Sequence, residues 1–183
     1  MTGQREAFSF DSKAALRRAQ ALTGSLDSSP PNGTRPMSER WNKHFFRLAR
    51  EVAALSKDPT TRVGAVAVDH DRRILATGYN GLPRGVTDDA ERYENRETKL
   101  LMVVHAEANI VADAARRGVS LKDCTLYVTH SPCSHCAGLL IQAGVGKIFH
   151  PPSSQEFLLR WGPQTKAADL MFREAGVLRL EIA

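Results

Sequence analysis

At 183 residues, with 42% hydrophobic and 25% charged side chains, the chain has the size and composition of one soluble globular domain with a full core. No apolar run approaches the ~20 residues that span a bilayer. The amino terminus lacks the apolar stretch of a secretory signal, so a cytoplasmic protein without membrane contact is expected. The net charge of +5 favours an anionic partner such as a nucleotide phosphate. No Lys/Arg block, and no arginine stripe interleaved with aromatics, marks a nucleic-acid surface. The three cysteines, Cys124, Cys133 and Cys136, are too few and odd in number for a disulfide framework. They are expected to be free thiols in a reducing compartment.

Residues 1–37 read as a flexible extension. A short helix over Phe8 to Leu22 precedes a Ser/Pro/Gly-rich tether over residues 23–37. Residues 38–183 read as one domain. Ser38 is a helix N-cap signal. Trp41, Phe45, Leu48, Val52 and Leu55 then recur at helical spacing, predicting an amphipathic helix over 38–56 that ends before Pro59. Val63 to Val68 and Ile74 to Tyr79 read as two strands around a His70-Asp71-Arg72 turn. Residues 80–98 form a long polar loop, a length that inside a domain points to function. A helix is expected from about Met102 to Arg117, stopped by Gly118. A strand over 125–129, a helix over 133–143, a strand over 147–150, a helix over 163–175 and a strand over 177–182 complete the chain. A hairpin followed by alternating helices and strands argues for a layered α/β domain with a mixed sheet.

Chemistry concentrates at three features: His105-Ala106-Glu107, Pro132-Cys133, and Cys133-Ser134-His135-Cys136. Each alone is weak. Together they match the H-x-E…P-C-x-x-C signature of zinc deaminases. Zinc takes imidazole and thiolate ligands, and a catalytic site keeps three protein ligands and an open fourth position. His105, Cys133 and Cys136 supply three, for one ion per chain. Cys133 and Cys136 fall one turn apart at a helix start, whose partial positive charge favours thiolates. Zinc held there would lower the pKa of a coordinated water to roughly 7, and in a deaminase of this signature the expected target of the resulting nucleophile is C4 of a cytosine. Glu107, two residues past His105, is the expected base for that water and then the acid for N3 and the leaving amine. A structural site closed by His130 or His135, and a redox Cys pair, are the competing readings of the same residues. Cys124 reads as a small buried residue.

The chain resembles the deoxycytidylate (dCMP) deaminases of the cytidine deaminase superfamily over most of residues 41–182. The pieces that carry the resemblance are SKDPTTRVGAV (56–66), GYNGLPRGVTDD (78–89), HAEANIVADAARRG (105–118), YVTHSPCSHCAGLLIQAGVGKI (127–148) and LMFREAGV (170–177). The segment between Asp89 and His105, the stretch after His150 and residues 1–37 lie outside them. The resemblance implies a three-layer α/β/α sandwich with a central mixed five-stranded sheet, and dCMP to dUMP conversion with release of ammonia. It also implies a homo-oligomer, a hexamer or a dimer, and regulation by dCTP and dTTP. On the same basis Lys57, Asn80, Gly81, Arg84, Ala106 and Asn109 are candidate nucleotide contacts. A nucleic-acid editing deaminase and a non-catalytic zinc-stabilised binding protein are the two alternatives.

Overall fold

The computed structural model describes residues 37–182. The expected extension and its short helix therefore lie outside the described residues, apart from Met37, which packs against the core. The elements run α1 (Glu39–Ala53), β1 (Gly64–Val68), β2 (Ile74–Tyr79), α2 (Ala90–Glu94), α3 (Arg96–Met102), α4 (Ala106–Arg117), β3 (Thr125–Val128), α5 (Ser134–Gln142), β4 (Lys147–His150), α6 (Gln155–Glu174) and β5 (Leu178–Glu181).

The five strands form one sheet in the order β2-β1-β3-β4-β5. The β1–β2 and β1–β3 pairs are antiparallel, and the β3–β4 and β4–β5 pairs are parallel, so the sheet is mixed. Strand alternation divides the core into two layers, because successive side chains point to opposite faces. Val66 and Val68 of β1, Tyr127 of β3 and Phe149 of β4 meet Phe45, Phe46 and Ala49 of α1 on one face. Ala65, Ala67, Leu126, Val128 and Ile148 meet Ile110 of α4, Leu140 of α5 and Phe172 of α6 on the other. β1 is buried along its whole length, which explains a β-branched strand without polar alternation.

Two glycines set the distances between layers. A Cβ on Gly64 would stand 2.2 Å from the Ala49 carbonyl oxygen, and one on Gly78 would stand 2.5 Å from that of Ala106. Only glycine lets α1 and α4 approach the hairpin so closely. Gly118, Gly144 and Gly176 all have positive φ at the ends of helices, as their sequence positions suggest.

Three expected boundaries are corrected. The long polar loop over 80–98 contains α2 and runs into α3, short helices without strong periodicity. The helix expected from Met102 begins at Ala106, because Val104 makes an isolated bridge with Gly81 instead. The helix expected from residue 163 begins at Gln155 and carries Pro163 in its interior.

Candidate active site

The approach of α4 and α5 to each other at their N-termini defines the site. His105 is the N-cap residue of α4 and Cys133 is the N-cap residue of α5, both in extended backbone conformation. Val104, tied to Gly81 by two backbone hydrogen bonds of 3.1 and 2.9 Å, aims His105 toward α5. Cys136 follows in the first turn of α5. The His105 Nδ1 atom lies 3.5 Å from Cys133 Sγ and 3.4 Å from Cys136 Sγ.

These three ligand atoms lie within 4.8 Å of one another, and among the described residues no further His, Cys, Asp or Glu joins the group. Neither His130 nor His135 closes it. The spacing suits zinc. Tetrahedral bonds of ~2.3 Å to sulfur and ~2.05 Å to nitrogen put a sulfur and a nitrogen about 3.6 Å apart. One imidazole at about that separation from each of two thiols forms a three-ligand set of the catalytic type.

The electrostatics agree with the donor chemistry. A hydrogen bond from the Cys136 thiol, with help from His105, holds the Cys133 thiol well below its ordinary range. Cys136 is pushed the other way, chiefly by the hydrogen bond its thiol gives to Cys133 and next by burial. Metal binding to such a pair requires thiolates and releases protons. His105 is raised, mainly by its hydrogen bond with Cys133. Cys124 lies apart in the core, its thiol pushed up to about 12 by burial.

Glu107, in the first turn of α4, is 3% exposed and lines the pocket beside this group. Burial raises its carboxyl above the ordinary range, partly offset by its own backbone N–H and by His105. A carboxyl so raised is a better proton acceptor than an exposed one, and can return the proton it takes.

The pocket has a volume of about 420 Å³. Of the candidate residues it brings together His105, Ala106, Glu107, Cys133 and Asn80. Cys136 sits behind them, buried against the two other donors. The Asn80 amide is committed to structure: its Oδ1 accepts from Val63 N at 2.7 Å and its Nδ2 donates to the Thr61 carbonyl at 2.9 Å. Four candidates stand outside the lining. Lys57 pairs with Asp88 at 2.9 Å, and Arg84 is exposed and pairs with Asp113 at 3.3 Å. Gly81 serves the Val104 bridge, and the Asn109 amide donates to the Tyr79 carbonyl at 2.8 Å.

Much of the wall comes from residues that the sequence reading did not single out. Asp58, 2% exposed, receives Thr60 N at 2.9 Å, Thr61 N at 3.0 Å and the Lys99 ammonium at 3.2 Å. Burial alone would raise its carboxyl, but these donors outweigh burial and hold it below the ordinary value. The Asp-Pro-Thr-Thr run is itself a turn signal in which the aspartate accepts from the following N–H groups. Tyr93, Arg96 and Lys99 come from α2 and α3, and Phe157, Arg160, Trp161 and Thr165 from α6. That last set repeats at helical spacing behind the Ser154 N-cap, whose Oγ accepts from Phe157 N at 3.2 Å.

Comparison with known proteins agrees with this geometry. A family model described as the cytidine and deoxycytidylate deaminase zinc-binding region matches residues 39–150. An uncharacterized deaminase of Aliivibrio fischeri is 44% identical over 141 residues, covering 77% of this chain and 92% of its own. The deoxycytidylate deaminase of Homo sapiens is 35% identical over 142 residues, covering 75% of this chain and 76% of its own. Among solved structures, the dCMP deaminase of cyanophage S-TIM5 in complex with dCMP and dUMP superposes with a TM-score of 0.65. It is 27% identical, over 80% of this chain and 99% of its own.

Proposed function

The chain belongs to the cytidine and deoxycytidylate deaminase family and is a zinc-binding deaminase, and from that membership we propose that it converts dCMP and water to dUMP and ammonia. The observation that carries the reading is one imidazole, two thiols and one buried carboxyl converging in a pocket of about 420 Å³. His105, Cys133 and Cys136 hold the metal. Zinc, when bound there, supplies the Lewis acidity that makes water nucleophilic near neutral pH. Glu107 takes a proton from the attacking water and passes it to N3 of the ring. The same carboxyl then takes the second proton of that water from the hydroxyl now on C4 and delivers it to the leaving amine as C4=O forms and the C4–N bond breaks, so one residue serves as base and then acid. Burial of Glu107 keeps competing bulk water from the proton path.

Ala106 and Asn80 stand in the lining as candidate walls of the base subsite. Residues 38–183 act as one catalytic domain in this reading. Assembly into a homo-oligomer and control by dCTP and dTTP belong to it as well, with Lys57, Gly81, Arg84 and Asn109 as candidate contacts for a second nucleotide. Among the described residues no helix is long and apolar enough to cross a membrane.

The test is ammonia release from a panel of cytosine nucleotides by the zinc-loaded protein. Turnover of dCMP with far less from deoxycytidine is the expected result. Stoichiometric zinc with no turnover of any free cytosine nucleotide overturns the reading. Tight, salt-dependent RNA or DNA binding with deamination only of polymer would move it to an editing enzyme.

A further inference from the structure

One charged side chain outside the pocket is tied into its floor. Arg179, on β5, ends in three partners from three parts of the fold. Its Nη2 donates to Ser131 Oγ at 2.8 Å. Its Nε donates to His150 Nε2 at 2.7 Å, at the end of β4. Its Nη1 forms an ion pair with Asp169 of α6. Glu181, two residues on along β5, is the other acidic group near it.

Each partner fixes the guanidinium further. His150 is 1% exposed, and its Nδ1 donates to the Pro151 carbonyl at 2.7 Å. Its Nε2 is therefore an acceptor, which matches a group that only donates. A guanidinium is planar and keeps its charge, so its donors hold a fixed fork. Ser131 is buried, lines the pocket and stands two residues before Cys133. The chain from Thr129 to Cys133 has no regular secondary structure. It is anchored at its start by Gly64 N, which donates to Thr129 Oγ1 at 3.0 Å, and at its end by α5. Between those anchors, Arg179 is the charged group that grips it.

We propose that Arg179 is a positioning residue of this site: by holding Ser131 it fixes the His130–Cys133 backbone, and with it the place of the Cys133 sulfur and of the pocket floor. The proposal rests on the reading of Cys133 as a metal ligand. It explains why an arginine on the edge strand β5 engages partners from β4, α6 and the segment before α5. A displacement of about 1 Å at a reacting centre costs on the order of a hundredfold in rate, so a floor held by one fork is sensitive to its loss.

The experiment compares full-length wild type, Arg179→Met, Arg179→Lys, Ser131→Ala and the Arg179→Met/Ser131→Ala double variant. Four quantities are measured: kcat and KM on dCMP, bound zinc per chain, and the rate of zinc release to an added chelator. Arg179→Met is expected to keep its zinc and KM, to lose kcat about tenfold or more, and to release zinc several-fold faster. Arg179→Lys keeps the charge without the fork and recovers part of both. The double variant is expected to be no worse than Arg179→Met, since both changes cut one tie. Arg179→Met with kcat and zinc release within twofold of wild type overturns the proposal, and so do losses that multiply in the double variant. If Arg179→Met does not fold, Arg179→Lys and Ser131→Ala decide, and unchanged kcat and zinc release in both overturn it. If wild type binds zinc but leaves dCMP intact, the proposed reaction fails by itself, and the zinc-release rates still decide the role of Arg179.

Discussion

His105 and Cys133 occupy equivalent positions in two different helices, each the extended residue before the first turn, and their Nδ1 and Sγ atoms stand 3.5 Å apart. An N-cap residue is where a helix presents its side chain and its unpaired N–H groups together. Two such ends facing each other concentrate partial positive charge, which favours thiolate over thiol and makes a metal-binding corner from local helix geometry. Each cap is tied from outside its helix, His105 through the Val104–Gly81 bridge beside it and the Cys133 segment through the Thr129–Gly64 and Ser131–Arg179 hydrogen bonds.

Zinc should therefore be part of the fold as well as of the chemistry. Replacement of either Cys133 or Cys136 by alanine is expected to bring bound zinc close to zero. The melting temperature should fall by roughly 10 °C, since metal binding is coupled to folding. Metal analysis and thermal melts with and without chelator check this. Stoichiometric zinc in either variant would show that the ligand set is wrong.

Glu107 separates metal binding from catalysis. Glu107→Gln keeps the shape and removes the exchangeable carboxyl. Zinc content and melting temperature should stay at wild-type levels while kcat on dCMP drops by ~10³-fold, in the middle of the range of general acid–base contributions. A variant that turns over within tenfold of wild type would move the proton transfers to another group.

Gly78 tests whether α4 must sit so close to the hairpin. A Cβ there would lie 2.5 Å from the Ala106 carbonyl oxygen and 3.0 Å from Ile110. The first turn of α4, which carries Glu107, has to shift to admit it. Gly78→Ala is expected to cost about 2 kcal/mol by overpacking and to lower kcat/KM by ~10-fold or more. Urea unfolding with steady-state kinetics reads both. Wild-type stability and kinetics would mean that the helix yields freely.

His150 gives the protein a defined sensitivity to acid. Burial, and next the charge of Arg179, hold it below its ordinary value of 6.5, against a raising hydrogen bond to Pro151. Above 6.5 the residue is neutral in both the folded and the unfolded chain, and its contribution is intact. As pH falls from there toward the lowered folded value, only the unfolded chain takes up the proton, so stability is lost. The loss approaches about 1.4 kcal/mol per pH unit for one such group. His150→Gln can still accept from Arg179 and does not titrate. Its stability profile below 6.5 should be flatter than that of wild type, and parallel profiles would remove His150 as the cause.

The zinc corner was legible in the sequence because His105-Ala106-Glu107 and Pro132-Cys133-Ser134-His135-Cys136 match a known zinc-deaminase signature, and helix geometry explains only why Cys133 and Cys136 face the same way. The layers were legible for a different reason: α1 is periodic, and β1, β3 and β4 alternate between two buried faces. The far wall of the pocket was not. Tyr93, Arg96 and Lys99 sit on two helices of 5 and 7 residues, too short for periodicity to register. Their place is set by tertiary ties such as the Lys99 pair with Asp58 and the Tyr93 hydroxyl, which donates to Asp88 at 2.8 Å. Phe157, Arg160 and Trp161 were hidden behind Gly162-Pro163, which reads as a helix boundary and is crossed by α6 instead.

That crossing makes the last prediction. Pro163 is exposed in the interior of a 20-residue helix. It has no N–H to offer the Leu159 carbonyl one turn back, and its ring crowds that carbonyl, a combination that costs ~3 kcal/mol in a helix interior. Gly162 beside it is buried, yet a Cβ there would meet nothing within 4 Å. Pro163→Ala is therefore expected to stabilise the protein by about 1–3 kcal/mol, and Gly162→Ala by roughly 0.5–1 kcal/mol. The first half of α6 carries Phe157, Arg160 and Trp161 on the pocket wall. If the weak joint lets that half move during turnover, Pro163→Ala should also lower kcat while tightening KM. Denaturant unfolding checks the stability gain, and steady-state kinetics on dCMP check the cost. A destabilised Pro163→Ala protein would mean that α6 needs its break to fit the pocket.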